Sequence, residues 1–136
     1  WAGAEVYPHR AHSVFRLIKG HSDFINVPVS GALERPVAQG HAGEQGFEWL
    51  YIPHTCDHEK IVQNVLERFV DDDPKFGTIV TDTHNDQDYS DLDHPASRNF
   101  ELILRSIEKF CKEMDLEPVG VTIDELCDFV RKDEDV

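Results

Sequence analysis

Gly77-Thr78-Ile79-Val80-Thr81-Asp82-Thr83-His84 is the stretch that decides how this chain is read. Its β-branched residues crowd helical geometry and suit a pleated, half-buried surface, so it is expected to be a strand. It opens into a polar loop from Asp82 to Asp93. Before it, Ile61, Val62, Val65, Leu66, Phe69 and Val70 paint one face of a helix expected over about 57–70. Asp57 is the natural cap of that helix, and Pro74 cannot continue it. After the loop, Pro95 suits a first helical turn, with Asp93 or His94 as the cap. Phe100, Ile103, Leu104, Ile107, Phe110, Cys111 and Met114 then follow at i, i+3, i+4, i+7 spacing.

The same alternation extends outward. Phe47-Glu48-Trp49-Leu50-Tyr51-Ile52, ended by Pro53, reads as a strand before the first helix. Phe24-Ile25-Asn26-Val27-Pro28-Val29-Ser30 reads as an earlier, edge-type strand because it contains a proline. Between them lies a loop rich in Gly and Ala, a lid or a connection. Ala11 to Lys19 is a short strand or an irregular segment. Beyond Pro118, Val119 to Ile123 reads as a last strand. Thr122 and Glu125 form a capping box for a final helix carrying Ile123, Leu126, Cys127 and Val130. Strands alternating with helices imply an α/β fold with mostly parallel strands, one domain over 1–136. In such folds, functional residues gather beyond the C-terminal ends of strands. The segments Pro53 to His58 and Asp82 to Asp88 occupy that position.

Composition narrows the partners. The chain has 136 residues, 40% hydrophobic and 29% charged, the balance of a folded globular domain. Its formal net charge of −14 repels phosphate backbones and anionic lipid surfaces, which excludes nucleic acid as a partner and favours a neutral or cationic substrate. No apolar run approaches membrane-spanning length, so no membrane span is expected. Cys56, Cys111 and Cys127 form no CxxC pair; Cys111 and Cys127 fall on apolar helix faces. This usage favours a reducing, cytoplasmic compartment. Met114 is the sole methionine, so the natural start of the protein is expected upstream of Trp1.

Two segments offer chemistry. His54-Thr55-Cys56-Asp57-His58 sets two imidazoles four residues apart, which on a helix puts both on one side and suits joint metal coordination. The alternative is a solvated His54 and a His58 that merely begins the helix. In Thr81-Asp82-Thr83-His84-Asn85-Asp86, His84 is placed to hold or deliver a proton, with Asp82 or Asp86 to orient it. The alternative there is a hydrated polar loop. Asp86, Asp88, Asp91 and Asp93 lack the Gly and the closing Glu of an EF-hand. Neither a phosphate-binding glycine loop nor a GxSxG elbow occurs. His9, His12, His21 and His41 read as surface or satisfied histidines.

Several of these residues together resemble the C-terminal part of the polysaccharide deacetylase (NodB-type) domain. They are Thr78-Ile79-Val80-Thr81-Asp82-Thr83-His84, the helix Arg98 to Met114, Val121-Thr122-Ile123-Asp124-Glu125-Leu126, and upstream Asp23 to Ser30 ending in Pro-Val-Ser. The resemblance implies part of a (β/α) barrel of the glycoside hydrolase and deacetylase type. It also implies metal-dependent removal of acetyl groups from N-acetylated sugars of a polysaccharide, with zinc as the expected ion. On it, His84 protonates the departing amine. His54-Thr55-Cys56-Asp57-His58 is similar in form to the family's metal segment. The family's early Asp-Asp segment has no counterpart, so the general base and metal ligands are expected from the missing N-terminal part of the barrel. A self-contained metal hydrolase using His54, His58, Asp82 and His84 is the second reading, and a non-catalytic α/β binding module the third. Unpaired sheet edges in a barrel fragment imply a homo-oligomer or a covering partner.

Overall fold

A computed structural model describes residues 6–15, 17–32, 48–53 and 57–133. They belong to two compact units, each discontinuous in sequence. One is built from Trp1–Pro28, Asp73–Thr78 and Val119–Val136, the other from Val29–Asp72 and Ile79–Pro118.

The second unit carries both chemistry-bearing segments. Its strands β3 (Gly31–Ala32) and β4 (Glu48–Trp49) pair antiparallel, Gly31 opposite Trp49. The chain then runs through Leu50-Tyr51-Ile52, where Leu50 and Ile52 are buried and Tyr51 is half-buried. That is period-two alternation: the aliphatic pair faces the core and the tyrosine faces the other way. Helix α1 (His58–Asp72) follows, with the Asp57 carboxylate accepting from the Lys60 amide at 3.0 Å, as an N-cap does. The chain returns to pair Asp82 with Tyr51 in a parallel bridge. Asp82 N–H donates to the Leu50 carbonyl at 3.0 Å, and Ile52 N–H donates to the Asp82 carbonyl at 2.9 Å.

Helix α2 (Pro95–Glu113) packs along α1. His94, with extended backbone, is its cap and accepts from the Ala96 amide through Nδ1 at 3.2 Å, with Pro95 in the first turn. After α2, Asp115 takes the left-handed conformation (φ 56°). The Leu116 amide reaches back to the Cys111 carbonyl at 2.8 Å, the six-to-one bond of a Schellman ending with aspartate in the usual glycine place. The core of this unit joins Leu50 and Ile52 to Ile61, Val62, Val65 and Leu66 of α1 and to Ala96, Ile103, Phe110 and Cys111 of α2. Phe100 and Leu104, expected on the inner face of α2, are exposed, while Ser106 is buried with its hydroxyl bonded to the Leu102 carbonyl. The apolar stripe read from sequence is wider than the seam that α1 covers.

In the first unit, β1 (His9–Arg10) pairs antiparallel with β2 (Ile25–Asn26), and Ala11 bridges Lys19 across a loop. A Cβ at Gly20 would lie 2.3 Å from His12 Cα, so this close crossing requires glycine. Helix α3 (Ile123–Lys132) begins with the expected capping box. The Glu125 amide donates to the Thr122 hydroxyl at 3.2 Å, and the Thr122 amide donates to the Glu125 carboxylate at 2.7 Å. Leu126 and Val130 pack with Ile25, beside Val27, Phe76 and Cys127. Arg10 donates to the Arg131 carbonyl at 2.7 Å, satisfying one of the orphan acceptors at the end of α3.

The three helices stand where sequence places them; the strands form only as short pieces of the expected runs, Ile25–Asn26 within 24–30 and Glu48–Trp49 within 47–52. Of the run 24–30 only Ile25–Asn26 enters a ladder, and Pro28 removes a donor from the rest. Within 77–83 only Asp82 forms a bridge, and Val119 to Val121 are exposed coil around Gly120. Mostly parallel pairing is expected. Among the described residues both two-stranded ladders are antiparallel, and the one parallel contact is Tyr51 with Asp82. No barrel closes among them. No helix among the described residues is long and apolar enough to cross a membrane.

Candidate functional site

The parallel bridge fixes what lies beside what. Bridge partners project to the same face of a strand pair, and residues two apart share that face. Tyr51, Asp82 and His84 therefore belong to one side, opposite the buried Leu50 and Ile52. The imidazole of His84 meets the Tyr51 ring edge-on, with centroids 5.5 Å apart and planes at 84°. The arrangement lets the positive edge of one ring meet the electron-rich face of the other. His84 itself is exposed.

The backbone beneath Tyr51 is held from two helices. His58, the first residue of α1, is only 2% exposed, and its Nε2 lies 3.1 Å from the Tyr51 carbonyl. A carbonyl only accepts, so Nε2 is the donor in this contact. Asn99 of α2 donates to the next carbonyl, Ile52, at 2.8 Å. Two side chains thus satisfy the strand's last acceptors, where the ladder itself has run out.

The loop after Asp82 is organised by its own side chains. The Thr83 hydroxyl is hydrogen-bonded to the Tyr89 hydroxyl, and the Tyr89 ring packs edge-on against Phe100 at 6.3 Å. Asp88 accepts from the amide and hydroxyl of Ser90 at 2.9 and 2.6 Å, and these bonds hold its carboxyl below the usual range. Asp91 accepts from the Asp93 amide, and Asp93 pairs with Arg98 at 2.7 Å. Partial burial first, then the carboxylates of Asp86 and Asp82 and the Tyr89 hydroxyl, hold the Tyr51 phenol above its ordinary value of 10.0. The phenol is therefore a neutral hydroxyl beside an acidic rim.

The expected residues come together in part. His84 and Asp82 lie on one face, yet neither Asp82 nor Asp86 is hydrogen-bonded to the His84 imidazole. The group that meets it is Tyr51, which is expected only as part of the strand 47–52. His58 is buried against a carbonyl, and His54 lies outside the described residues, so the joint face proposed for the two cannot be drawn. Among the described residues no three His, Cys, Asp or Glu side chains converge as a bound ion requires. These donors therefore do not compose a metal site. An open groove of about 500 Å³ on the second unit is lined by Asp57, Glu59, Lys60, Gln63, Lys109 and Phe110 and includes none of the His84 cluster. The ion pair of Glu59 with Lys109, 2.8 Å long, joins two of these lining residues. The chain matches no protein-family model, no curated protein and no solved structure.

Proposed function

We propose that this chain contributes the proton-delivering side of a hydrolase that removes acetyl groups from N-acetylated sugars. The observation that carries the reading is the place of His84. It lies two residues beyond the parallel bridge of Asp82 with Tyr51, and its ring meets that of Tyr51. In the reaction, water adds to the acetyl carbonyl, the carbon–nitrogen bond breaks, and the amine leaves with a proton taken from the His84 imidazole. Acetate and a free amino sugar result. Asp82 supplies negative charge beside the nitrogen, which is cationic once protonated and leaves as a neutral amine when the bond breaks. The general base and the ligands of the expected zinc ion come, on this reading, from sequence beyond this chain. His54 and His58 would be its own ligands only in a self-contained enzyme.

The test is acetate release from an N-acetylglucosamine oligomer by the full-length protein with and without added zinc. Replacing His84 by Ala is expected to lower the rate roughly 100-fold or more. A rate within about threefold of the parent, or no acetate release from any N-acetylated sugar, overturns the proposal. A second reading, a non-catalytic α/β binding module, is favoured by the exposure of His84 and the lack, among the described residues, of a carboxylate bond to its ring. It gains if the oligomer binds and no acetate appears.

A further inference from the structure

We infer that Tyr51 is a positioning residue for His84, and that His58 fixes it from beneath. The inference deepens the hydrolase reading, on which it rests for its effect on rate, while the geometry it names stands separately.

Three observations converge on Tyr51. Its backbone is fixed on both sides of the bridge, by Asp82 N–H on Leu50 and by Ile52 N–H on Asp82. Its own carbonyl is held by the buried His58, and the following carbonyl by Asn99. Its ring is the group in contact with the His84 imidazole. An exposed histidine on a polar loop would ordinarily sample several rotamers. Here one wall of its range is an aromatic ring on a backbone that four hydrogen bonds hold in place. Holding a proton donor to one side in this way converts chance encounters into oriented ones. The Tyr51 hydroxyl is not required for that contact; the ring is. The buried imidazole of His58 is thereby explained as the anchor of the wall.

The experiment uses the full-length protein with Tyr51→Phe, Tyr51→Leu and His58→Gln. Nuclear Overhauser contacts between the ring protons of residues 51 and 84 are expected in the parent and in Tyr51→Phe. The His84 ring signals should move in Tyr51→Leu, which removes the ring current. His58→Gln keeps a donor near the Tyr51 carbonyl and should preserve the contact. On an N-acetylglucosamine oligomer, Tyr51→Leu is expected to lower kcat on the order of tenfold to 100-fold with KM within about twofold. Tyr51→Phe should restore kcat to within about threefold. Absence of the parent's contact overturns the inference, as does a Tyr51→Leu protein that is folded by circular dichroism with unchanged His84 signals and unchanged kcat. If no form of the protein releases acetate, the hydrolase reading fails, and the magnetic resonance arm alone decides whether Tyr51 holds His84.

Discussion

Replacing His58 by Ala tests whether its imidazole serves the fold or a metal. The side chain is 2% exposed and its Nε2 donates to the Tyr51 carbonyl over 3.1 Å. Two losses follow from truncation. An unsatisfied carbonyl costs about 1–3 kcal/mol, and because Tyr51 is only half-buried, water can reach part of it, which puts this loss near the lower end. The cavity left by a fully buried ring adds about 2–3 kcal/mol, as other large-to-small core changes do. The expected total is on the order of 3–4 kcal/mol, a large share of the ~5–15 kcal/mol that holds a domain together. His58→Gln keeps a donor and most of the volume, so about 1 kcal/mol is expected. Urea unfolding followed by far-UV circular dichroism reads both values, since the midpoint shifts at constant slope when stability alone changes. A loss for His58→Ala within the ~0.5 kcal/mol typical of surface substitutions would refute the buried hydrogen bond. A chelator that lowers the parent's midpoint and leaves His58→Ala untouched would instead assign the residue to a metal.

Three further outcomes follow from the helices. Thr122→Ala removes one half of the capping box of α3 and is expected to cost about 1 kcal/mol, read as a lower melting midpoint. Hydrogen bonds from Thr122 hold the Glu125 carboxyl below its ordinary value of 4.5. Its contribution is therefore fully present above that value and is lost as pH falls through the lowered one, so Glu125→Gln should flatten the acid limb of the stability profile. A limb of unchanged steepness contradicts the capping geometry. Burial raises the Cys111 thiol, whereas Cys127 is only half-buried. Iodoacetamide should label Cys127 well before Cys111 in the native protein, and mass spectrometry after a short pulse would show the reverse if α2 were loosely packed.

The helices were legible because their signals are local. Asp57, the His94-Pro95 pair and the Thr122–Glu125 box each act within one turn of the chain, and the structure places a helix start at each. Width of the apolar face is not local. Phe100 and Leu104 continue the stripe of α2 in sequence, but what they face depends on how far α1 extends across it, and the buried seam runs through Ala96, Ile103, Phe110 and Cys111 instead. Strands fared worse for the same reason. A β-branched run shows that a segment suits a ladder, whereas the partner comes from elsewhere in the chain, and within 77–83 the bridge forms at Asp82 while Val80 is hydrogen-bonded to Ser30. The site shows where the missing information lay. The alternation Leu50-Tyr51-Ile52 already set the tyrosine opposite two aliphatics, and Asp82 and His84 already shared a face by their spacing. What one dimension lacks is the register that puts Tyr51 across from Asp82. Two backbone hydrogen bonds set that register, and with it an aromatic residue of the earlier strand becomes the neighbour of the histidine on which the proposed chemistry depends.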